Sequence, residues 1–422
     1  MASLLTRLRA HPTGFWFVFW GELAERASFY GMRTLLALYL VEAMRFDRSN
    51  GAAVMQFFLA ACYLAPLLGG WLADRWLGRF RTIMVFAGPY IVGQIILGAV
   101  ETRVGLFVAL PLLALGSGAI KPNTSTLMGL MYEEQKKGHL LGEAFSYFYA
   151  AINVGSAIAS LSLPLVRNRF GYGTALGIPA ALMTIAFVLF ALGRRHYPRE
   201  EVHAKRAPSE PGSIRRLFGV FALVAVFWFV YDQTASTWIF FARDRMDLAL
   251  WPGARITPDQ VQGLNPVFIL VLTPVFNTLW QKFPAADTRK MTFGFWIVTA
   301  AMGTMAIAGY LAAGERVSVW WEIAATFVIT LGELCISVVG LEFAFRRGGA
   351  GAKSAVTAAF LLTVFVGDSF GGVFDQLYER LAPGPYFALQ AAIVAAGAIA
   401  FRSVASRFET RAPDAPAASY AT

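Results

Sequence analysis

Long apolar runs separated by short polar turns fill the chain from about residue 15 to residue 403. A helix rising 1.5 Å per residue needs about 20 apolar residues to cross the hydrocarbon core of a bilayer. Twelve segments meet that length: approximately 15–41, 51–74, 79–100, 104–130, 143–165 and 172–192, then 216–243, 257–281, 290–312, 316–343, 351–374 and 382–403. The stretch between the two sets is charged, contains prolines and is too polar to cross. The pattern predicts an N-terminal six-helix bundle over 1–193, a cytoplasmic linker over 194–215, a C-terminal six-helix bundle over 216–405 and a disordered cytoplasmic tail over 406–422. No repeat between the halves is visible at the level of residues.

Composition agrees with a chain that lives in lipid. Of 422 residues 57% are hydrophobic and 15% charged, against roughly 25% charged in an ordinary soluble domain. The first apolar run carries Glu22, Glu25 and Arg26 and has no small-residue cleavage site, so it is expected to be a retained helix and not a signal peptide. Cys62 and Cys335 lie inside apolar runs, with spacing suited to neither a metal site nor a disulfide framework. The net charge of +10 comes from short loops, which argues for topology signals and against a nucleic-acid partner. The side holding both termini, the linker and the even-numbered loops has more than twice as many Lys and Arg residues as the other. That asymmetry predicts a multi-pass protein of the cell (inner) membrane with both termini cytoplasmic.

Charge inside the spans narrows the chemistry, because an ionisable side chain near the bilayer centre costs about 3 kcal/mol even on lenient scales. Glu22, Glu25, Arg26, Tyr30 and Arg33 fall within roughly 140° of arc on the first helix, so they share one face that is expected to line a wet cavity. Two readings stand side by side. The cluster pairs internally and staples the helix to its neighbours, or a carboxylate titrates beside a guanidinium that also holds an anionic group. Lys121, Asp232, Glu333 and Asp368 are further buried charges in the fourth, seventh, tenth and eleventh spans. Opposite signs in opposite halves would gate the molecule if they pair in one state and part in another; the alternative is that each is satisfied within its own bundle.

His11, His139, His196 and His203 all lie outside the spans, which leaves any proton coupling to carboxylates. No constellation of nucleophile and base and no metal spacing is present, so neither an enzyme nor a cofactor is expected, protons being the coupling ion.

Several motifs occur in order. Glu22-Leu-Ala-Glu25-Arg26 resembles the E-x-x-E-R signature of the proton-dependent oligopeptide transporters of the major facilitator superfamily. Gly116-Ser-Gly118-Ala-Ile-Lys121-Pro122-Asn123 resembles that family's fourth-helix G-x-G-x-x-K-P-N, and the run from Phe145 to Gly155 its fifth-helix F-S-x-F-Y-x-x-I-N-x-G. Phe227-Trp228 through Asp232-Gln233 is similar to the seventh-helix F-W-x-x-x-E-Q. Asn265-Pro266 and the stretch from Gly332 to Leu341 are similar to the eighth and tenth helices. Gly70, Asp74, Arg75, Gly78, Arg79 and Arg81 resemble the loop between the second and third helices of major facilitator transporters. Ordered motifs in both halves are far more specific than any one of them.

The resemblance implies a twelve-helix major facilitator fold in two six-helix bundles and proton-coupled import of di- and tripeptides by alternating access. It implies proton coupling at Glu22, Glu25 and Arg26, with Arg26 and Lys121 near the peptide carboxylate. Glu333, Asn153 and Asn265 would receive the amino terminus, and Tyr30 and Tyr63 would line the pocket. Arg33 and Ser337 complete the substrate group. Arg33 with Asp232 would be the outer gate and Lys121 with Glu333 the inner one. Its partners would be a small substrate, protons and lipid, with the protein a monomer. Two other functions remain open: carriage of a non-peptide amphoteric or anionic solute, and a non-transporting membrane receptor.

The chain departs from the pattern at Ala27, Phe29, Asp232, Val338 and the eleventh span. There Asp368 adds an acid that would be another proton site or a contact for a cationic substrate. The polar linker leaves no room for two extra helices.

Overall fold

The computed structural model describes residues 4–199, 212–347 and 353–409; most of the expected linker and most of the expected tail lie outside the described residues. In chain order the helices are α1 (Leu4–Ala10), α2 (Thr13–Glu42), α3 (Arg48–Leu72), α4 (Arg79–Ala99), α5 (Arg103–Glu134) and α6 (Leu141–Leu192). They continue as α7 (Gly212–Tyr231), α8 (Thr237–Arg245), α9 (Leu264–Lys282), α10 (Asp287–Leu311), α11 (Trp320–Glu333), α12 (Val339–Arg347), α13 (Lys353–Phe374) and α14 (Pro383–Glu409). The protein is an all-α, multi-pass membrane protein.

Among the described residues, ten helical runs are long and apolar enough to cross a bilayer. The difference from twelve has two physical sources. Helix α2 is 30 residues long but carries four charges in its middle, so composition alone does not mark it. The run from Gly138 to His196 is a single 59-residue stretch, about twice the length of a crossing. It is broken at Gly171, whose φ of 82° is open to glycine at no steric cost, and the chain reverses there.

The seventh span is also discontinuous. Helix α7 ends at Tyr231, a tight 3-10 turn covers Asp232–Ala235, and α8 resumes at Thr237. Two π-helical turns, Ala73–Leu77 after α3 and Leu334–Val338 between α11 and α12, interrupt the second and tenth spans. Short strands outside the spans pair Met246 with Val317 and Ala249 with Arg255.

Side chains pack into two apolar cores. One is built almost wholly from residues between Phe15 and Tyr197, the other almost wholly from residues between Leu217 and Ala405. The halves meet where α3 lies along α13 and α6 along α9. Burying apolar side chains within each half, and placing charges along the seam between them, leaves the seam as the natural place for chemistry.

Candidate functional site

Helix α2 supplies the first group. Arg26 Nε lies 2.9 Å from Glu22 Oε1 and 2.5 Å from Glu25 Oε2. These are close ion pairs without hydrogen-bond alignment, and all four carboxylate oxygens lack a hydrogen-bond donor among the described residues. The face does not look at lipid. Among the described residues its first half is closed off from any cavity, which corrects that part of the expectation, since Glu22, Glu25 and Arg26 are 1%, 0% and 1% exposed, whereas Tyr30 and Arg33 do line a cavity. Phe29 lies against Arg26, with Tyr90 from α4 and Lys121 from α5 beside the cluster. The two carboxylates share one cation at ion-pair distance, Arg26.

About two turns further along, Arg33 Nη2 reaches Asp232 Oδ1 at 2.5 Å and so bridges the halves. The 3-10 break after Tyr231 positions this carboxylate. Gln56 of α3 adds bonds across the seam, donating from Nε2 to the Asp232 carbonyl at 2.9 Å and to Ser236 Oγ at 3.1 Å.

Lys121 and Glu333 are apart. Lys121 Nζ lies 4.8 Å from the centroid of the Tyr63 ring. Glu333 Oε2 accepts from Tyr231 Oη at 2.8 Å and from Asn265 Nδ2 at 2.9 Å, and Asn265 also donates to Thr330 Oγ1 at 3.0 Å. Asn153 does not join them, because its Nδ2 donates to Tyr149 O of its own helix at 2.9 Å. Tyr30 and Arg33 line a polar cavity of about 40 Å³ between the halves, with Asn265, Tyr231 and Ser160 on its other walls. Ser337 lies within the π turn that follows Glu333.

Among the described residues, every ion pair that joins the halves lies toward the end opposite the N-terminus, the distal end. Besides Arg33 with Asp232, Arg48 Nε meets Asp244 Oδ2 at 2.6 Å and Nη1 approaches Glu379 Oε1 at 3.7 Å. Arg243 Nη1 approaches Glu42 Oε1 at 3.8 Å, and Arg167 pairs with Asp259.

The loop motif organises the other end. Gly78 takes φ 76° between the π turn and α4, which turns the chain so that Arg79 pairs with Asp74. Arg79 also donates to Asn123 Oδ1 at 3.1 Å, and Asn123 Nδ2 in turn binds the Ala119 carbonyl at 2.7 Å. Gly70 and Arg75 flank this knot.

Four residues that sequence reasoning passed over belong to the seam or its supports. Glu322, 2% exposed, lines the polar cavity with Oε2 unbonded among the described residues. Its signal was a lone Glu behind Trp320-Trp321, near enough to a span's end to look superficial. Asp259 is fully buried against Arg167, and Asp375 accepts from Tyr386 Oη at 2.8 Å. Tyr149, inside a quoted motif, supports Asn153, whose Nδ2 donates to its carbonyl. Only the packing of distant segments reveals the first three.

A family model described as the POT family matches residues 80–210 and 203–384. Peptide transporter 3 of Caenorhabditis elegans is 32% identical over 369 residues, covering 73% of this chain and 52% of that protein. The uncharacterized transporter YclF of Bacillus subtilis is 24% identical, covering 89% of this chain and 90% of that one. This chain thus spans about half the length of the animal relatives it matches. The crystal structure of the POT family transporter PepTSo superposes with a TM-score of 0.87 at 27% identity, covering 95% of this chain and 99% of the other. The match runs through both halves and takes in the motifs from the fourth to the tenth span, and on that ground the chain belongs to the POT family.

Proposed function

We propose that the protein is a symporter that imports di- and tripeptides by alternating access, driven by protons taken up on carboxylates. One observation carries the reading: a cation, Lys121 over the Tyr63 ring, stands on one side of the seam, and an anion, Glu333 oriented by Asn265 and Tyr231, on the other. A zwitterion needs both ends. Ion pairs clustered distally fit a state closed at that end, with both termini on the cytoplasmic side of the cell membrane.

In this cycle a proton neutralises Glu22 or Glu25 and frees Arg26 to hold the substrate carboxylate. Release reverses the step. One proton moving down 100 mV supplies about 2.3 kcal/mol, enough for roughly 40-fold accumulation, so one titrating group is adequate in magnitude.

Uptake of a labelled dipeptide into proteoliposomes under an imposed proton gradient tests the reading. Accumulation is expected in the wild type and not in Glu25→Gln, and undiminished accumulation by Glu25→Gln removes that residue from coupling. If unlabelled dipeptides fail to compete while another amphoteric or anionic solute stabilises the protein thermally, the substrate class changes. Binding without counterflow exchange would instead indicate a receptor.

A further inference from the structure

We infer that a basic groove in the N-terminal half, at the end of the molecule opposite the distal closure, binds the headgroup of an anionic phospholipid. The groove lies between the start of α2, the start of α4 and the segment that follows α6, and its volume is about 1080 Å³. Arg81, Arg194, Arg195 and Arg199 line it, and no acid does among the described residues. None of these four guanidinium groups makes an ion pair among the described residues.

Aromatic rings hold this charge in place. Arg194 Cζ stands 5.7 Å from the centroid of the Phe80 ring, so the segment after α6 reaches over the start of α4. Phe80 in turn lies 5.7 Å from the Tyr197 ring. Arg195 donates from Nε to His196 Nε2 at 3.1 Å, and the His196 ring stacks on Phe17 of α2 at 5.7 Å. A guanidinium set against a ring loses little freedom when it takes a ligand, and its planar fork of donors matches a phosphate. Arginines that serve only to orient the chain in the membrane need no such floor.

Depth selects a lipid over a soluble anion. Trp20, Trp71 and Trp76 are exposed toward this end, the last two meeting edge to face at 4.8 Å, and exposed Trp collects at the level of the headgroups. Ile185, Val188 and Leu192 are exposed along one face of α6 over about 10 Å, and Leu192 itself lines the groove. An acyl chain tied to a phosphate in the groove has that stripe to lie against. The excess of Lys and Arg on this side predicts that it faces the cytoplasm, where anionic lipids draw basic clusters and basic pockets between spans take phosphate-bearing headgroups. The inference needs a chain that spans a bilayer and does not depend on the solute carried.

Native mass spectrometry of the purified full chain, titrated with dioleoyl phosphatidylglycerol or dioleoyl phosphatidylcholine, tests this. Phosphatidylglycerol should be retained in preference to phosphatidylcholine. The double variant R194Q/R195Q should bind it roughly 30-fold more weakly, two basic residues at about 1 kcal/mol each. R194K/R195K keeps the charge and should lose far less. R9Q/R402Q removes the same charge from exposed positions at the same end but outside the groove, and should bind as the wild type does. Equal affinity for the two lipids, or equal losses in the two Gln pairs, overturns the inference. Dihexanoyl phosphatidylglycerol should bind more weakly than the dioleoyl lipid. If it binds as well, or if millimolar inorganic phosphate displaces the dioleoyl lipid, the groove is a site for soluble anions and the inference fails. Glu200 and Glu201 follow Arg199 in the sequence. A wild type that retains no lipid, beside an E200Q/E201Q variant that does, overturns the inference in favour of the linker as occupant.

Discussion

Arg167 of α6 and Asp259 at the head of the eighth span clasp the two halves together with the carboxylate wholly buried. The neighbouring clasp between Arg48 and Asp244 is different in kind, since the Arg48 side chain is 43% exposed.

That contrast predicts unequal effects. Removing one member of a buried pair strands the other charge, at about 3–5 kcal/mol, whereas exposed pairs contribute about 0–1 kcal/mol. Arg167→Gln should shift the population strongly toward distal opening and Arg48→Gln hardly at all. Thiol-reagent accessibility of cysteines introduced along the distal seam measures both.

Glu333→Gln keeps a side chain of the same shape for Asn265 to meet but removes the negative charge. A hydrogen bond to a charged group contributes about 1.5–3 kcal/mol. Apparent affinity for a dipeptide should therefore fall roughly 10- to 150-fold, while an analogue without its amino group should bind nearly as before. Equal losses for both ligands in a binding titration would contradict the assignment of Glu333 to the amine.

A methyl group added at Gly118 would stand 2.4 Å from Ala65 Cβ and 3.0 Å from the Cys62 carbonyl, so α3 and α5 touch through backbone there. Gly118→Ala should destabilise the protein by about 1–3 kcal/mol through overpacking, seen as a lower melting temperature in detergent. Gly129→Ala, with nothing within 4 Å, is the matched control and should not.

His11, ahead of α2, is 4% exposed, and its ring nitrogen Nδ1 shares a hydrogen with Tyr132 Oη at 2.5 Å. Burial holds its pKa below the ordinary 6.5, with Lys137 and Arg7 acting the same way and Glu143 opposing them. The folded state thus prefers the neutral ring, and stability should drop as pH falls through about 6.5. His11→Phe should flatten that part of the profile when thermal unfolding is followed against pH, in excess of any constant offset.

Hydropathy revealed most of the spans because lipid imposes length and apolarity on every crossing, and the charges of α2 stood out against that background. Partnership was harder to see. Arg33 and Asp232 are 199 positions apart, and their approach depends on a 3-10 turn that no apolar period encodes. Glu22, Glu25 and Arg26 were legible as one face, but their enclosure by Phe29 and Tyr90 was not, because that depends on how α4 packs. Asp259 and Glu322 sit at span ends, where an acid looks ordinary until a neighbouring helix covers it.

The wide turn at Leu334–Val338, just past Glu333, holds an extra residue compared with an α-helical turn. If that residue slips back into regular winding, everything downstream rotates by about 100° about the helix axis. Such a rewinding would re-aim Val339–Arg347 without touching the bonds from Tyr231 and Asn265 to Glu333, which sit on the other side of the turn.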